Sequence, residues 1–248
     1  MRRSNNHDRI IFNGHDLSNL VMCRMERPIM PPVEVSRESV GGRHGELFRR
    51  ARMQGYTVPV TVWLRAKDRR RVADLRHKLA AMLWTDEPAP LYLPDDATRY
   101  HLAIVEGDTS LGAITDEIPT TTISFYVCDP IAYGNTRSEE LTTGANTSLD
   151  AGGTFAATPV VRSTTSGGTW KLLNVTTGAF VEVNADTVGV EIASGAELVC
   201  DMANERVTIN GSTVGVTVDS DFFTIEGRMA LRVTGGTDTT IDWQERWI

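Results

Sequence analysis

Cysteine is scarce in this chain, and the few cysteines present form no motif. Cys23, Cys128 and Cys200 are an odd number, lie far apart and lack the spacing of metal ligands. We therefore expect them to be small buried residues of a protein that is made in a reducing cytoplasm.

Long apolar runs are absent as well. No stretch approaches the ~18 apolar residues that a membrane span needs. Residues 1–8 are polar and lack the apolar region of a secretion signal. We expect no membrane insertion and no export through the usual pathway, and 41% hydrophobic with 23% charged residues is ordinary for a globular chain.

Basic residues and histidines are scarce in the second half. Residues 135–248 hold 7 Lys and Arg against 15 Asp and Glu, whereas residues 1–134 hold 18 against 17. Nucleic-acid binding requires clustered Lys or Arg, which this half lacks. No histidine follows His101, so the half has no Ser–His pair, Cys–His pair or metal cluster. We expect no catalytic residue, no cofactor and no metal ion.

Residues 123–134 lie at the boundary between the two halves, which differ in charge composition. Apolar and polar residues alternate at the start of this stretch, which predicts a half-buried strand. Asp129 and Pro130 then end the strand, because proline has no N–H to donate to a sheet. The alternative is a strand end inside one large domain. We predict a first domain at residues 1–134, a linker at 135–149 and a second domain at 150–248. For the polar residues 135–153, a solvated first strand is the alternative to a linker.

The first half contains several strand patterns. Residues 10–17 predict a strand, an Asn-Gly turn and a returning strand. Residues 18–40 are interrupted by three prolines and predict an extended arm with breaks. The glycine-rich residues 41–45 predict a loop between strands, because they lack the Gly-Lys-Ser/Thr ending of a phosphate-binding loop. Further strands are predicted at residues 91–93, 100–105 and 120–127.

Residues 56–65 form the clearest strand pattern of this half. Apolar residues alternate along one face, and Pro59 lies on the other. Because proline interrupts the hydrogen bonds of a sheet, we predict that this strand lies at or near a sheet edge. An edge is where another chain can add a strand, so Pro59 is a candidate interface residue.

Residues 67–84 predict the one helix of the first half. Asp68 is the predicted N-cap, and apolar residues recur at helical spacing. Arg69, Arg70 and Arg71 place three cations at the positive end of the helix dipole. Two interpretations remain open: a solvated basic face, or a face that docks on an acidic neighbour, either the second domain or another subunit. If the face docks on an acidic neighbour, Arg69, Arg70 and Arg71 are candidate residues of an oligomer interface.

Asp95 and Asp96 are adjacent carboxylates that follow a predicted strand. Such a pair suggests acid–base catalysis, and a glycosidase-like enzyme is one hypothesis. However, Asp after Pro is common in turns, and neighbouring residues point in different directions. The turn is the favoured interpretation.

The second half predicts a β-sandwich. Eight or so short strands follow each other closely, without helical periodicity. Residues 207–214 give the strongest prediction, because Asn210 and Gly211 suit a tight hairpin turn. The strands are predicted at residues 158–163, 169–175, 179–184, 188–192, 197–200, 207–214, 222–225, 229–233 and 240–247.

Three tryptophans raise a second functional hypothesis. Trp170, Trp243 and Trp247 could stack on a sugar if exposed, although tryptophan in strands is more often part of a core. The alternative function is therefore a carbohydrate-binding module with an accessory domain.

The order of several short motifs resembles the distal tail proteins of bacteriophages with long, non-contractile tails. The resemblance covers most of the chain. Its segments are residues 12–18 (Phe-Asn-Gly-His-Asp-Leu-Ser), 40–45 (Val-Gly-Gly-Arg-His-Gly), 93–95 (Leu-Pro-Asp), the 125–134 junction, and a closing run from Asp201 to Phe223.

The resemblance implies a structural virion protein and not an enzyme. Its expected fold is an α+β belt domain followed by a galectin-like sandwich. In that family six copies form a ring, the baseplate hub, at the distal end of the tail, and the sandwich projects outward. The ring joins the tail tube protein to the tail-tip or tail fibre proteins, and DNA passes through its channel without specific binding. A host-surface glycan is a candidate ligand of the sandwich.

Overall fold

The computed structural model describes residues 9–66, 68–111, 119–189 and 191–248, apart from the side chain of Arg69. Contacts divide the chain into two units, residues 1–132 with Ile248 and residues 133–247. The division lies two residues after Pro130, and each unit has its own hydrophobic core.

The first unit is built from antiparallel strands and one long helix. Seven strands form a sheet in the order β2-β1-β7-β8-β9-β6-β3. Strands β4 and β5 pair only with each other in the part of the chain that is described. The elements are β1 (Ile11–Phe12), β2 (His15–Asp16), a 3-10 helix (Leu17–Asn19), β3 (Val21–Met25), β4 (Val33–Ser39), β5 (Glu46–Met53), β6 (Tyr56–Leu64), α1 (Arg69–Leu83), β7 (Ala89–Leu93), β8 (Asp96–Glu106) and β9 (Thr120–Val127).

Helix α1 covers the core of this unit. Val72, Leu75 and Leu79 are buried in one cluster with core residues of the sheet. The helix begins after Asp68, whose Oδ1 accepts the backbone N–H of Arg71 at 2.8 Å. The predicted helix and its N-cap are confirmed, although Lys67 lies outside the described residues.

The prediction that the strand of Pro59 lies at or near a sheet edge is confirmed in its second form, because β6 is next to the edge strand β3. Strand β6 lies inside the sheet, with β9 on one side and β3 on the other. Pairing with β3 stops at Val60, so at Pro59 only β9 flanks the strand, through Ser124. A missing N–H is tolerated there because one side of the strand is locally unpaired.

The second unit is a two-layer β-sandwich. One sheet has the order β17-β16-β15-β12-β19-β10 and the other β11-β18-β13-β14, and residues of both sheets share one core. Its elements are β10 (Ala132–Leu141), β11 (Thr147–Asp150), β12 (Val160–Ser166), β13 (Trp170–Asn174), β14 (Phe180–Val183), α2 (Ala185–Val188), β15 (Ser194–Asp201), β16 (Arg206–Ile209), β17 (Ser212–Val214), β18 (Arg228–Thr234) and β19 (Gly236–Trp247).

Two strand predictions for this unit are wrong, and one alternative is decided. Residues 135–149 contain most of β10 and the start of β11, so the linker is wrong and the solvated first strand is right. The described part of residues 188–192 forms no strand: Val188 ends α2, at whose start Asn184 and Thr187 cap each other's backbone, and Val190 lies outside the described residues. Residues 222–225 form no strand and contribute a single bridge, from Ile225.

Local turn predictions are confirmed. Asn210 and Gly211 have φ angles of 48° and 80°, the left-handed pair of a tight hairpin between β16 and β17. Asn13 and Gly14 adopt the same pair between β1 and β2.

None of the three cysteines forms a disulfide, and Cys128 is exposed, which corrects the prediction that it is buried. It lies just after β9 ends, where the sheet no longer covers it. Among the described residues, the helices are too short or too polar to cross a bilayer, and no three His, Cys, Asp or Glu side chains are placed to hold a metal ion.

Candidate interaction surfaces

Strands β4 and β5 and their turn form a ribbon, residues 33–53. Its register is set by pairs from Val33 opposite Met53 to Ser39 opposite Glu46. A bulge interrupts the register, because Arg37 lies opposite Phe48 and Arg49 is the extra residue.

One face of the ribbon, here called the apolar face, carries most of its apolar residues. Residues that pair directly share a face, and the bulge brings Phe48 to the face of Val33 and Val35. These side chains are exposed, Phe48 by 67%; towards the turn, this face also holds Arg37, Ser39 and Glu46. The opposite face holds mainly charged and polar residues: Glu34, Ser36, Glu38, Leu47, Arg50 and Arg52.

An isolated ribbon of this kind is only marginally stable in water. Its strands are held by backbone pairing and by exposed ion pairs, Arg37 with Glu46 at 3.1 Å and Arg49 with Glu38. Such exposed pairs contribute little, about 0–1 kcal/mol each. A row of exposed apolar side chains on a thin ribbon therefore indicates a surface that a partner covers.

The outer face of α1 is the second candidate surface. Arg70, Arg71, Arg76 and Lys78 are exposed, and none has a carboxylate within ion-pair distance in the ranges that the structure describes. The first turn holds no acidic residue to offset the arginines. Trp84, directly after the helix, is 79% exposed. Arg69 begins the helix, but its side chain lies outside the described part.

Pro59 is exposed on the outer side of β6. It lines a shallow groove of about 360 Å³ together with Met25, Trp63 and the exposed ion pair of Arg24 with Glu26. As an interface residue Pro59 stays a prediction.

Asp95 and Asp96 lie in separate ion pairs. Arg27 Nε contacts Asp95 Oδ2 at 2.6 Å, and Arg99 Nη1 contacts Asp96 Oδ2 at 3.0 Å. Burial acts to raise the pKa of Asp96, but hydrogen bonds from Arg99 and Thr98 hold it below its usual value. A glycosidase acid needs a raised pKa, so the geometry favours a structural role for this pair.

Arg27 also reaches a buried histidine. Its Nη1 lies 2.9 Å from His101 Nε2, so the neutral imidazole accepts this hydrogen bond. Burial and the Arg27 charge lower the pKa of His101 to about 4.

Two of the three tryptophans proposed for sugar stacking are core residues. Trp170 has no exposed surface, and Trp243 is 3% exposed and donates from Nε1 to the carbonyl of Ala151 at 2.7 Å. Their rings fill the space between the two sheets, so neither can stack on a sugar from solution. Trp247 is half-buried and remains a candidate.

The apolar face of the ribbon is not evident from the sequence, which predicts a broken arm at residues 18–40 and a loop at residues 41–45. The available signal was the alternation at Val33 and Val35, but the register that places Phe48 beside them depends on a bulge that local sequence does not reveal.

Both units match models of phage tail domains. Residues 12–127 match the phage tail protein RIFT-related domain, and residues 152–247 match the C-terminal domain of siphovirus-type tail components. No curated protein sequence matches the chain.

One solved structure shows the same fold along nearly the whole chain. The crystal structure of the Dit (gp 19.1) protein of phage SPP1, described as a paradigm of the hub adsorption apparatus in phages that infect Gram-positive bacteria, is 17% identical with a TM-score of 0.78. The match covers 97% of this chain and 99% of that one. A chain of the phage P2 baseplate in its activated conformation with Ca matches at 8% identity and a TM-score of 0.49, covering 96% and 97%. With both domain models in order along a shared fold, the chain belongs to the siphophage distal tail protein family, whose members are structural proteins of the phage tail.

Proposed function

We propose that six copies of this chain form a ring at the distal end of a long, non-contractile phage tail. The first unit makes the ring, and the second is a galectin-like sandwich that projects outward. The ring joins the tail tube protein to tail-tip or receptor-binding proteins. The role is structural, without a catalytic step, and the chain is made in the host cytoplasm before it enters the virion.

The observation that carries this proposal is the exposed apolar face of the ribbon. A ring needs a contact in which one surface of a copy meets a different surface of the next. A protruding ribbon with Val35 and Phe48 on one face suits the donor side of such a contact, because burial of these side chains contributes about 25 cal/mol for each Å² of apolar area removed from water.

The proposed ring leaves a central channel through which DNA passes without specific binding.

Negative-stain electron microscopy of the purified full chain, with native mass spectrometry, tests the proposal. We expect six-fold rings with a central channel and the mass of a hexamer. The same chain, gold-labelled in assembled tails, should lie at the end of the tube. A chain that stays monomeric at high concentration and is absent from the tail end would contradict the proposal.

A further inference from the structure

We propose that the outer face of α1 is a docking surface for the acidic second unit of another copy of this chain. The inference rests on the proposed ring, because a ring is what brings copies next to each other. It adds a second contact, distinct from the ribbon, and names its partner.

The unpaired cations of α1 define the chemistry of the partner. Arg70, Arg71 and Lys78 lie on one helix face at spacings of one turn or two, with Asp74 between them, and are exposed without a carboxylate within ion-pair distance among the described residues. Arg27 and Arg99 of the same unit have ion-pair partners within it, whereas Arg50 and Arg52 of the ribbon, like the cations of α1, have none in the described ranges. A partner that completes this face must supply carboxylates.

The second unit carries the required charge. Its exposed carboxylates outside any ion pair of the described residues include Glu139, Glu140, Asp186, Glu205, Asp219 and Asp238. A neighbouring copy therefore carries complementary charge without any further protein, and complementary charge guides and orients such contacts.

Trp84 supplies the apolar part of the surface. It directly follows the helix and is 79% exposed, whereas Trp170 in the second unit is fully buried. Tryptophan and arginine are the residues most enriched at the energetic centres of protein interfaces. Exposed arginines on α1 and an exposed tryptophan directly after it are together typical of a contact surface.

The helix dipole affects how charge substitutions at the start of α1 change the stability of the helix. Cations in the first turn of a helix oppose the dipole, and carboxylates there are favourable. Replacing Arg70 and Arg71 by glutamate removes the docking charge and also removes two cations from the positive end of the helix. The Tm of such a variant shows whether a loss of assembly comes from unfolding.

The first test compares the variant R70E/R71E with D74K. Asp74 is exposed on the same face, so D74K changes the charge there in the opposite direction. In sedimentation velocity experiments at low salt we expect R70E/R71E to weaken association at least ~10-fold and D74K to strengthen it. The Tm of R70E/R71E should equal or exceed that of the unmodified chain. Unchanged association, or association and Tm that fall together, would overturn the inference.

The second test identifies the partner by cross-linking. The chain has three lysines, Lys67, Lys78 and Lys171, so links from Lys78 are easily assigned. A carbodiimide is applied to assembled full-length chain mixed from nitrogen-14 and nitrogen-15 protein, which distinguishes links between copies from links within one. We expect Lys78 to be joined to a carboxylate within residues 133–247 of a different copy.

The outcomes separate this inference from the proposed ring. Rings without that cross-link, or with Lys78 joined only to its own copy or to residues 1–132 of another, overturn the inference and leave the ring intact. Absence of rings from the unmodified chain and of the protein from tails contradicts the proposed function itself.

Discussion

The two units of this chain differ in how far their surface charges and strand edges are paired within the unit. In the second unit, four of the seven Lys and Arg residues have ion-pair partners inside the unit, among them Arg137, whose Nε contacts the buried Glu245 at 2.6 Å. The edge of β14 is covered as well, since the N–H groups of Thr217 and Asp221 donate to carbonyls of that strand at 2.9 and 2.8 Å.

The first unit has an exposed apolar face and exposed charges that it does not pair internally. The ribbon exposes an apolar face, and α1 exposes cations without partners among the described residues. Its core is nevertheless as well formed as that of the sandwich, with Phe12, Leu64 and Phe125 almost fully buried. Assembly surfaces therefore lie outside a complete core, so they can be altered without unfolding the unit that carries them.

A pair of tryptophan substitutions should give the largest contrast in stability. Trp170→Ala removes a fully buried ring from the sandwich core and should lower the free energy of unfolding of the second unit by about 3–5 kcal/mol. Trp84→Ala removes an exposed ring and should change stability by less than about 0.5 kcal/mol. Urea unfolding followed by hydrogen-exchange mass spectrometry reports each unit separately. Equal losses for the two variants would show that burial does not distinguish these positions.

Acid should destabilise the two units in different pH ranges. The pKa of His101 is lowered from 6.5 to about 4 in the folded first unit. Between these values the unfolded chain binds a proton at His101 that the folded chain does not. Stability from the neutral histidine is therefore complete above pH 6.5 and is lost as the pH falls towards 4, by about 3 kcal/mol in all.

The second unit has no histidine, so it lacks this loss. Its shifted carboxyl groups Asp150 and Asp201 have pKa values below 3.8, and the stability they contribute is lost only as the pH falls further. Urea titrations at several pH values, with His101→Gln as the control, test the difference. A first unit whose pH dependence is the same in His101→Gln would exclude the histidine as its cause.

Features determined by a few neighbouring residues could be predicted from the sequence. The turn at Asn210 and Gly211 and the helix start at Asp68 depend on local backbone angles and local hydrogen bonds, and both were found where expected. The sequence favours a linker over strand β10 because residues 135–140 are all polar and show no alternation of polar and apolar side chains. In the structure all six are exposed.

Features determined by distant contacts could not be predicted in this way. Pro59 predicts a position at or near an edge, but the sequence does not show that β3, more than thirty residues earlier, is the edge strand beside it. Trp170 is buried because a second sheet packs over it. The apolar face of the ribbon depends on the extra residue Arg49, which shifts the pairing of one strand by one position.

That shift gives the last contrast, between two adjacent residues of the ribbon. Phe48 lies on the apolar face and Leu47 on the charged face, so Phe48→Asp and Leu47→Asp add the same charge to opposite sides of one strand. Phe48→Asp should prevent ring assembly, at a cost of about 2 kcal/mol or more per interface, whereas Leu47→Asp should still form rings. Neither variant should change the unfolding of the first unit by more than about 0.5 kcal/mol, because neither residue belongs to its core. Native mass spectrometry over a concentration series measures the assembly. Rings from Phe48→Asp, or their loss from both variants alike, would mean that the apolar face is not what joins one copy to the next.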